Sequence, residues 1–198
     1  MKKKMVIPML MVTASMLPVV GLAEEKDTNA VVEYESGNLV LNPNNALPDD
    51  LNFGSHPIQT TNSEEWLATT DGVQTSPAVT SSIEVSDNRG DESGWVVKLM
   101  QMTQFQTTTN IELEDAQLVI AFGAITNNLG LPPTLSTANM DLDVTIGTSS
   151  DLIYADEGEG IGETALAIDQ FSLEILADTQ KVPEQYTAEL NWTIEAGE

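Results

Sequence analysis

The sequence contains no cysteine, one histidine and few aromatic residues. The lack of cysteine excludes disulfides, thiolate metal sites, cysteine nucleophiles and lipidation at cysteine. The single histidine, His56, precedes a proline, so the usual histidine-dependent nucleophile sets are hard to assemble. A glycosidase needs only two carboxylates, but the sequence favours no pair among its 31 acidic residues. We therefore predict a protein that is not an enzyme.

Basic residues are also scarce, with 7 Lys and Arg against 31 Asp and Glu and a net charge of −24. Binding to nucleic acid depends on neutralising phosphates with Lys and Arg, so nucleic acid is excluded as a partner. Attraction to an anionic membrane surface is excluded for the same reason. The excess charge is typical of a protein that must stay soluble outside the cell.

The first residues have the pattern of a secretion signal. Lys2, Lys3 and Lys4 precede an apolar stretch, residues 5–22, and the small residues Gly21 and Ala23 flank Leu22. We predict a signal peptide over residues 1–23, cleaved after Ala23, and a single domain over residues 24–198. A membrane anchor is the alternative, but two prolines interrupt the stretch. Cleavage would leave 4 basic and 31 acidic residues, a net charge of −27.

The remaining chain lacks helical periodicity and is rich in short runs that alternate apolar and polar residues. Such runs, separated by turn residues, predict an all-β fold, an antiparallel β-sandwich of Greek-key type. One predicted hairpin joins AVVEYES to LVLNP through Gly37-Asn38, with Val32 and Tyr34 facing Leu39 and Leu41. Residues 127–133 form a predicted loop. The other predicted strands are DLNFGSHPIQ (irregular), SSIEVSD, GWVVKLM, QLVIAFG, LDVTI, DLIYA, TALAI, FSLEILA and YTAELNWTI.

Two of these strands carry a tryptophan followed by an aliphatic residue two positions later. In GWVVKLM, Trp95, Val97 and Leu99 share one face, and in YTAELNWTI, Trp192 and Ile194 share one face. An inward tryptophan on an alternating strand is more often part of the core than a ligand platform. We therefore assign Trp95, Val97, Trp192 and Ile194 mainly structural roles.

Four segments together resemble the WxL (Trp-x-Leu) cell-wall-binding domain of low-GC Gram-positive bacteria. They are GNLVLNP, LNFGSHPI, the turn VSDNRGDESGW before the first Trp, and YTAELNWTI. Val97 and Ile194 stand where the family has Leu, which conserves an apolar strand former. The resemblance implies a secreted surface protein that binds peptidoglycan non-covalently, with a larger membrane-anchored surface protein as a partner. No sorting motif follows the last strand, which agrees with non-covalent attachment.

The candidate ligand-binding residues are Trp66, which lies in a polar stretch, Tyr154, beside an acidic segment, and Arg89. Asp87, Asp91 and Glu92 are weak candidates for a calcium site, since calcium takes six to eight oxygens, but the turn does not match EF-hand spacing. We otherwise expect no cofactor.

An alternative function remains open, that of a structural or adhesive subunit of a multiprotein surface complex. In that case the N-terminal AVVEYES segment would add a strand to the sheet edge of a neighbour.

Overall fold

The structure, a computed structural model, describes residues 29–141 and 146–197. The predicted signal peptide and most of the predicted LDVTI strand lie outside the described residues. The chain divides into two units, Met1–Tyr34 and Glu35–Glu198. In the first unit, residues 29–34 form no regular secondary structure, and the side chains of Val31, Val32 and Tyr34 are exposed.

The second unit is built from antiparallel strands connected by turns and loops. No helix occurs in residues 29–141 or 146–197, and accordingly no helix in this part of the chain is long and apolar enough to cross a membrane. The strands are β1 (Leu39–Leu41), β2 (Glu64–Leu67), β3 (Ser81–Asp87), β4 (Trp95–Gln101), β5 (Gln117–Asn127), β6 (Thr134–Leu135), β7 (Asn139–Asp141), β8 (Ser150–Ala155), β9 (Gly162–Ile175) and β10 (Leu190–Ala196).

The larger sheet is organised around β9, which is 14 residues long. Along one side of β9, β3 pairs with its first half and β2 with its last residues, while β5 follows the other side. The outer strands are β1, which pairs with β3, and β7, which pairs with β5. The smaller sheet has the order β10-β4-β8-β6, with a register shift between Val97 and Lys98 where β4 meets β8.

The two sheets pack against each other through the apolar residues that alternate along the strands. One hydrophobic cluster contains Ile83 and Val85 from β3, Leu118 and Ile120 from β5, and Val97 from β4. The predicted all-β sandwich is confirmed, and SSIEVSD and DLIYA form strands as predicted. The inward faces predicted for the β3, β4 and β5 segments are also confirmed, because their alternation buries one face of each strand.

Several local predictions are wrong. The Gly37-Asn38 hairpin does not form; β1 pairs instead with β3, where Val40 lies opposite Ser86. The predicted irregular strand over residues 50–59 does not form, and TALAI and most of FSLEILA belong to the single strand β9. The last strand begins at Leu190, although the predicted alternation of half-buried and exposed residues extends back to Tyr186.

Candidate functional site

The turn between β3 and β4 is held by a buried ion pair. Asp87 is 3% exposed, and its carboxylate accepts bonds from Nε and Nη2 of Arg89 at 2.9 and 2.8 Å. Arg89 also donates to the Ser93 hydroxyl and to the carbonyl of Gly94, at 2.8 and 3.1 Å. The hydrogen bonds to Asp87 raise the pKa of Arg89. Arg89, a candidate ligand-binding residue, therefore directs its guanidinium into this turn.

The same turn leads into β4, and Trp95, the first residue of β4, lies in the core. The Trp95 side chain is 2% exposed, and its Nε1 donates to the carbonyl of Gly160 at 3.3 Å. Gly160 has a φ of +66°, and a Cβ at this position would lie 2.7 Å from the indole ring. The backbone at Gly160 therefore packs directly against the ring, which supports a structural role for Trp95.

Trp192 lies in β10, the edge strand of the smaller sheet. It is half-buried, packs against the core and stands opposite Leu99 of β4. Further along the same pair of strands, Ala196 stands opposite Trp95. The two Trp strands are thus adjacent and antiparallel, an arrangement that the sequence alone did not predict.

Trp66 lies in a polar stretch of the sequence, which favours an exposed loop, but the structure places it in a strand and only partly exposed. It belongs to β2, stands opposite Leu173 of β9 and packs against the core, half-buried. The ring of His56 stacks on it, with centroids 3.5 Å apart and planes 7° from parallel. His56 is fixed in turn by a 2.8 Å hydrogen bond between its Nε2 and the carbonyl of Phe53. One face of the Trp66 ring is therefore covered within the chain.

Tyr154, in contrast, lies on the outer face of the smaller sheet and is 40% exposed. Its cross-strand neighbours are Val96 of β4 and Thr134 of β6. On the same face, Lys98 forms an ion pair with Glu195 at 2.5 Å. Of the candidate aromatic residues, Tyr154 is the one whose surroundings resemble a platform open to solvent.

The candidate calcium ligands have other partners in the turn. Asp91 accepts bonds from the hydroxyl and the backbone N–H of Ser93, at 2.9 and 3.1 Å, and these bonds lower its pKa. Glu92 is exposed and adopts a φ of +58°. Within residues 29–141 and 146–197, no group of three His, Asp or Glu is placed to hold a metal ion. The carboxylates of Asp87 and Asp91 therefore organise the turn, and calcium binding stays a prediction.

Each Lys and Arg of the described residues forms an ion pair. Arg89 and Lys98 are two of them, and the third is Lys181, whose Nζ lies 2.9 Å from the carboxylate of Glu64. The side chains of Lys181 and Glu64 are both less than 10% exposed. Lys181 also donates to the carbonyl of Gln59 at 2.9 Å. Across the described part of the chain, no cation is left without a carboxylate partner for binding an anionic polymer.

An open groove of about 550 Å³ crosses the outer face of the larger sheet, and sequence reasoning did not identify it. Its lining includes Asn44, Glu84, Thr126, Asn128, Glu163 and Ala165. Glu84 points away from the core because its neighbours Ile83 and Val85 are fully buried. This alternation was visible in the sequence, but the pairing of β3 with β9, which brings the two glutamates together, was not.

A second surface feature is the loop that follows β5. Leu129 and Leu131 are 65% and 60% exposed. The loop is nevertheless fixed, because Asn128 exchanges hydrogen bonds with Glu163 and the N–H of Gly160 donates to the carbonyl of Leu131 at 3.0 Å. The predicted loop over residues 127–133 is confirmed from residue 128 onward, since Asn127 is the last residue of β5, and the loop presents two leucines to solvent.

Comparison of the sequence with known protein families gives a match over most of the chain. The chain matches the family model described as WxL domain surface cell wall-binding over residues 24–197, nearly its whole length. The chain belongs to this family. No curated protein and no solved structure matches it. Membership places the chain among surface proteins that bind the cell wall.

Proposed function

We propose that the protein is secreted and attaches non-covalently to the peptidoglycan of the Gram-positive cell wall. The family match over residues 24–197 is the observation that carries this proposal. The open groove on the larger sheet supports it, because the amides and carboxylates of Asn44, Glu84, Asn128 and Glu163 in its lining can form hydrogen bonds with a hydrated polymer. We also propose that the protein is not an enzyme, which a zymogram with embedded wall would contradict by showing lysis.

The charge of the protein restricts which wall component it contacts. The described cations are committed to ion pairs, and the chain has a net charge of −24. Contact with anionic wall polymers would add repulsion, whereas peptidoglycan offers neutral sugars and peptides with amines. We therefore assign binding to peptidoglycan itself rather than to the anionic polymers attached to it.

Sedimentation with purified sacculi tests the proposal. We expect the protein to sediment equally well, or better, after the anionic polymers have been stripped from the wall. Repulsion between like charges is screened over about 10 Å at about 0.1 M salt, so binding should persist as monovalent salt rises. A parallel sample with chelator, then with added calcium, tests the calcium prediction. Failure to sediment with stripped sacculi would contradict the proposal.

The loop over residues 128–133 favours a second role, docking to a larger membrane-anchored surface protein. Leu129 and Leu131 are exposed on a fixed loop. Acidic residues lie in or beside the segments that are hydrogen-bonded to this loop, namely Glu163 and the exposed Glu92, Asp156 and Glu157. Exposed apolar residues with a charged rim are typical of protein interfaces. The matching partner would present an apolar pocket with a basic rim, whereas the Lys and Arg residues in the described part of this chain are already in ion pairs.

A binding measurement with the purified ectodomain of such a partner tests this role. Leu131→Ser should weaken binding, whereas Leu176→Ser should not, since Leu176 is similarly exposed, at 54%, but follows the opposite end of β9. Equal binding by both variants would exclude the loop. The strand-addition alternative remains a prediction as well, and it requires a ladder of oligomers in size-exclusion chromatography that disappears when residues 24–36 are removed.

A further inference from the structure

The groove on the larger sheet exists because the small side chain of Ala165 lies between the larger side chains of Glu84 and Thr126. Ala165 of β9 forms its floor, with Glu84 of β3 opposite it on one side and Thr126 of β5 opposite it on the other. Asn44, from the segment after β1, raises the wall beside Glu84, and Asn128 raises the wall beyond β5. A side chain of a bound peptide can therefore lie across β9 between two polar walls.

Two carboxylates face this groove from adjacent strands. Glu163 lies two residues from Ala165 on β9, which makes it the diagonal neighbour of Glu84; such neighbours are typically ~7–8 Å apart, and their Cβ atoms are somewhat closer. A group placed between them can contact both. Because carboxylates are acceptors only, the matching group must be a donor.

Each carboxylate is held in place by hydrogen bonds from neighbouring side chains, and these bonds do not use all of its acceptor positions. The amide of Asn44 donates to Glu84 Oε2 at 2.8 Å, and the Ser82 hydroxyl donates to Oε1 at 3.2 Å. Glu163 Oε1 accepts from the Ser86 hydroxyl at 2.7 Å. Since an ionised carboxylate has about four acceptor positions, both glutamates can accept further bonds. No residue lining the groove carries a positive charge that would neutralise them.

We propose that the groove binds a primary ammonium group carried by a peptide, namely the side-chain amine of a diamino acid in the peptide of peptidoglycan. An ammonium group has three donors, and charge-assisted bonds to carboxylates are about twice as strong as neutral ones. A divalent metal is a poorer fit, because calcium requires six to eight oxygens and the described residues contain no group of three carboxylates placed to hold an ion. This inference rests on the proposed binding to peptidoglycan and names the part that is recognised.

The test compares sacculi with and without acetylated amines. Acetylation removes the positive charge, so we expect the affinity of the wild-type protein to fall by about tenfold or more, equivalent to about 1.4 kcal/mol. The double variant E84Q/E163Q should show the same loss with untreated sacculi and no further loss after acetylation. The control is the double variant E65Q/E174Q, an equal charge change on the paired strands β2 and β9, with Glu174 ~36 Å from Glu163 at about 3.3 Å per residue.

A soluble probe separates failure of this inference from failure of the proposed function. A short peptide with one free lysine amine, titrated into the protein, should shift the NMR signals of the Asn127 and Asn128 side-chain amides, and its ε-acetylated form should not. Sedimentation that is insensitive to both acetylation and E84Q/E163Q would overturn the inference while leaving peptidoglycan binding intact. Absence of sedimentation with a positive probe titration would contradict only the proposed function. A negative probe titration overturns the groove assignment.

Discussion

Replacing the two motif tryptophans separately should reveal how much each contributes to stability. Trp95 is 2% exposed and donates a hydrogen bond to Gly160, so Trp95→Ala should cost the upper part of the ~3–5 kcal/mol typical of core Trp→Ala changes. Trp192 is half-buried on the edge strand β10. Because part of its surface is already in water, Trp192→Ala should cost less than Trp95→Ala, about 2–3 kcal/mol.

Urea unfolding followed by circular dichroism measures both values, and sedimentation with sacculi is run on the same samples. Each variant should lose binding only in proportion to the fraction unfolded, because neither ring is assigned to a ligand. Tyr154→Ala is the matched control for stability, since it removes an exposed aromatic ring from strand β8, and its sedimentation shows separately whether Tyr154 contacts the wall. If Trp192→Ala unfolds like the wild type but no longer binds the wall, the ring is a ligand platform and the structural assignment is wrong.

Three further predictions concern the turn before β4 and the contact of Gly160 with Trp95, the first residue of β4. Arg89→Ala should destabilise the fold by about 3–5 kcal/mol in urea unfolding, since it leaves the buried Asp87 carboxylate unpaired, whereas D87N/R89A together should recover part of that loss. Gly160→Ala should lower the melting temperature, because its Cβ would lie 2.7 Å from the Trp95 ring at a φ of +66°, and an unchanged melting temperature would contradict this contact. The pKa of Asp91 in the folded state is lower than the ordinary value of 3.8, so its ionised carboxylate stabilises the fold at pH values above 3.8. This contribution is lost as the pH falls through the folded-state pKa, so the stability difference between the wild type and Asp91→Asn should shrink on acidification. A difference that does not depend on pH would refute this prediction.

The strands that alternation predicted correctly are those with one fully buried face. In β3 and β4, Ile83, Val85, Val97 and Leu99 are completely buried, so the period of two is complete and visible in the letters. The predicted hairpin at Gly37-Asn38 failed because a turn dipeptide reports only local preference. The actual partner of β1 is β3, more than 40 residues further along the chain, and no local signal encodes such pairing.

The candidate site was less predictable because it depends on contacts between distant segments. Trp66 stands among polar residues, so composition suggested a loop, whereas β2 is a short strand whose pairing with the end of β9 places the ring against the core. The ion pair of Lys181 with Glu64 and the approach of Glu84 to Glu163 also join residues far apart in sequence. Charge counting gave the total charge correctly but could not reveal that the described cations are internally paired.

This pairing changes what the acidic surface can do. With the described Lys and Arg side chains bound to carboxylates of the same chain, approach to anionic wall polymers brings repulsion and little local attraction to offset it. Such repulsion acts over roughly a Debye length, about 10 Å, whereas hydrogen bonds in a groove act only at contact. Electrostatic repulsion would keep this protein away from most of an anionic wall, and it would bind only where a specific hydrogen-bond donor reaches its groove. Its negative charge would then contribute to specificity by penalising the wrong partners, in addition to keeping the protein soluble.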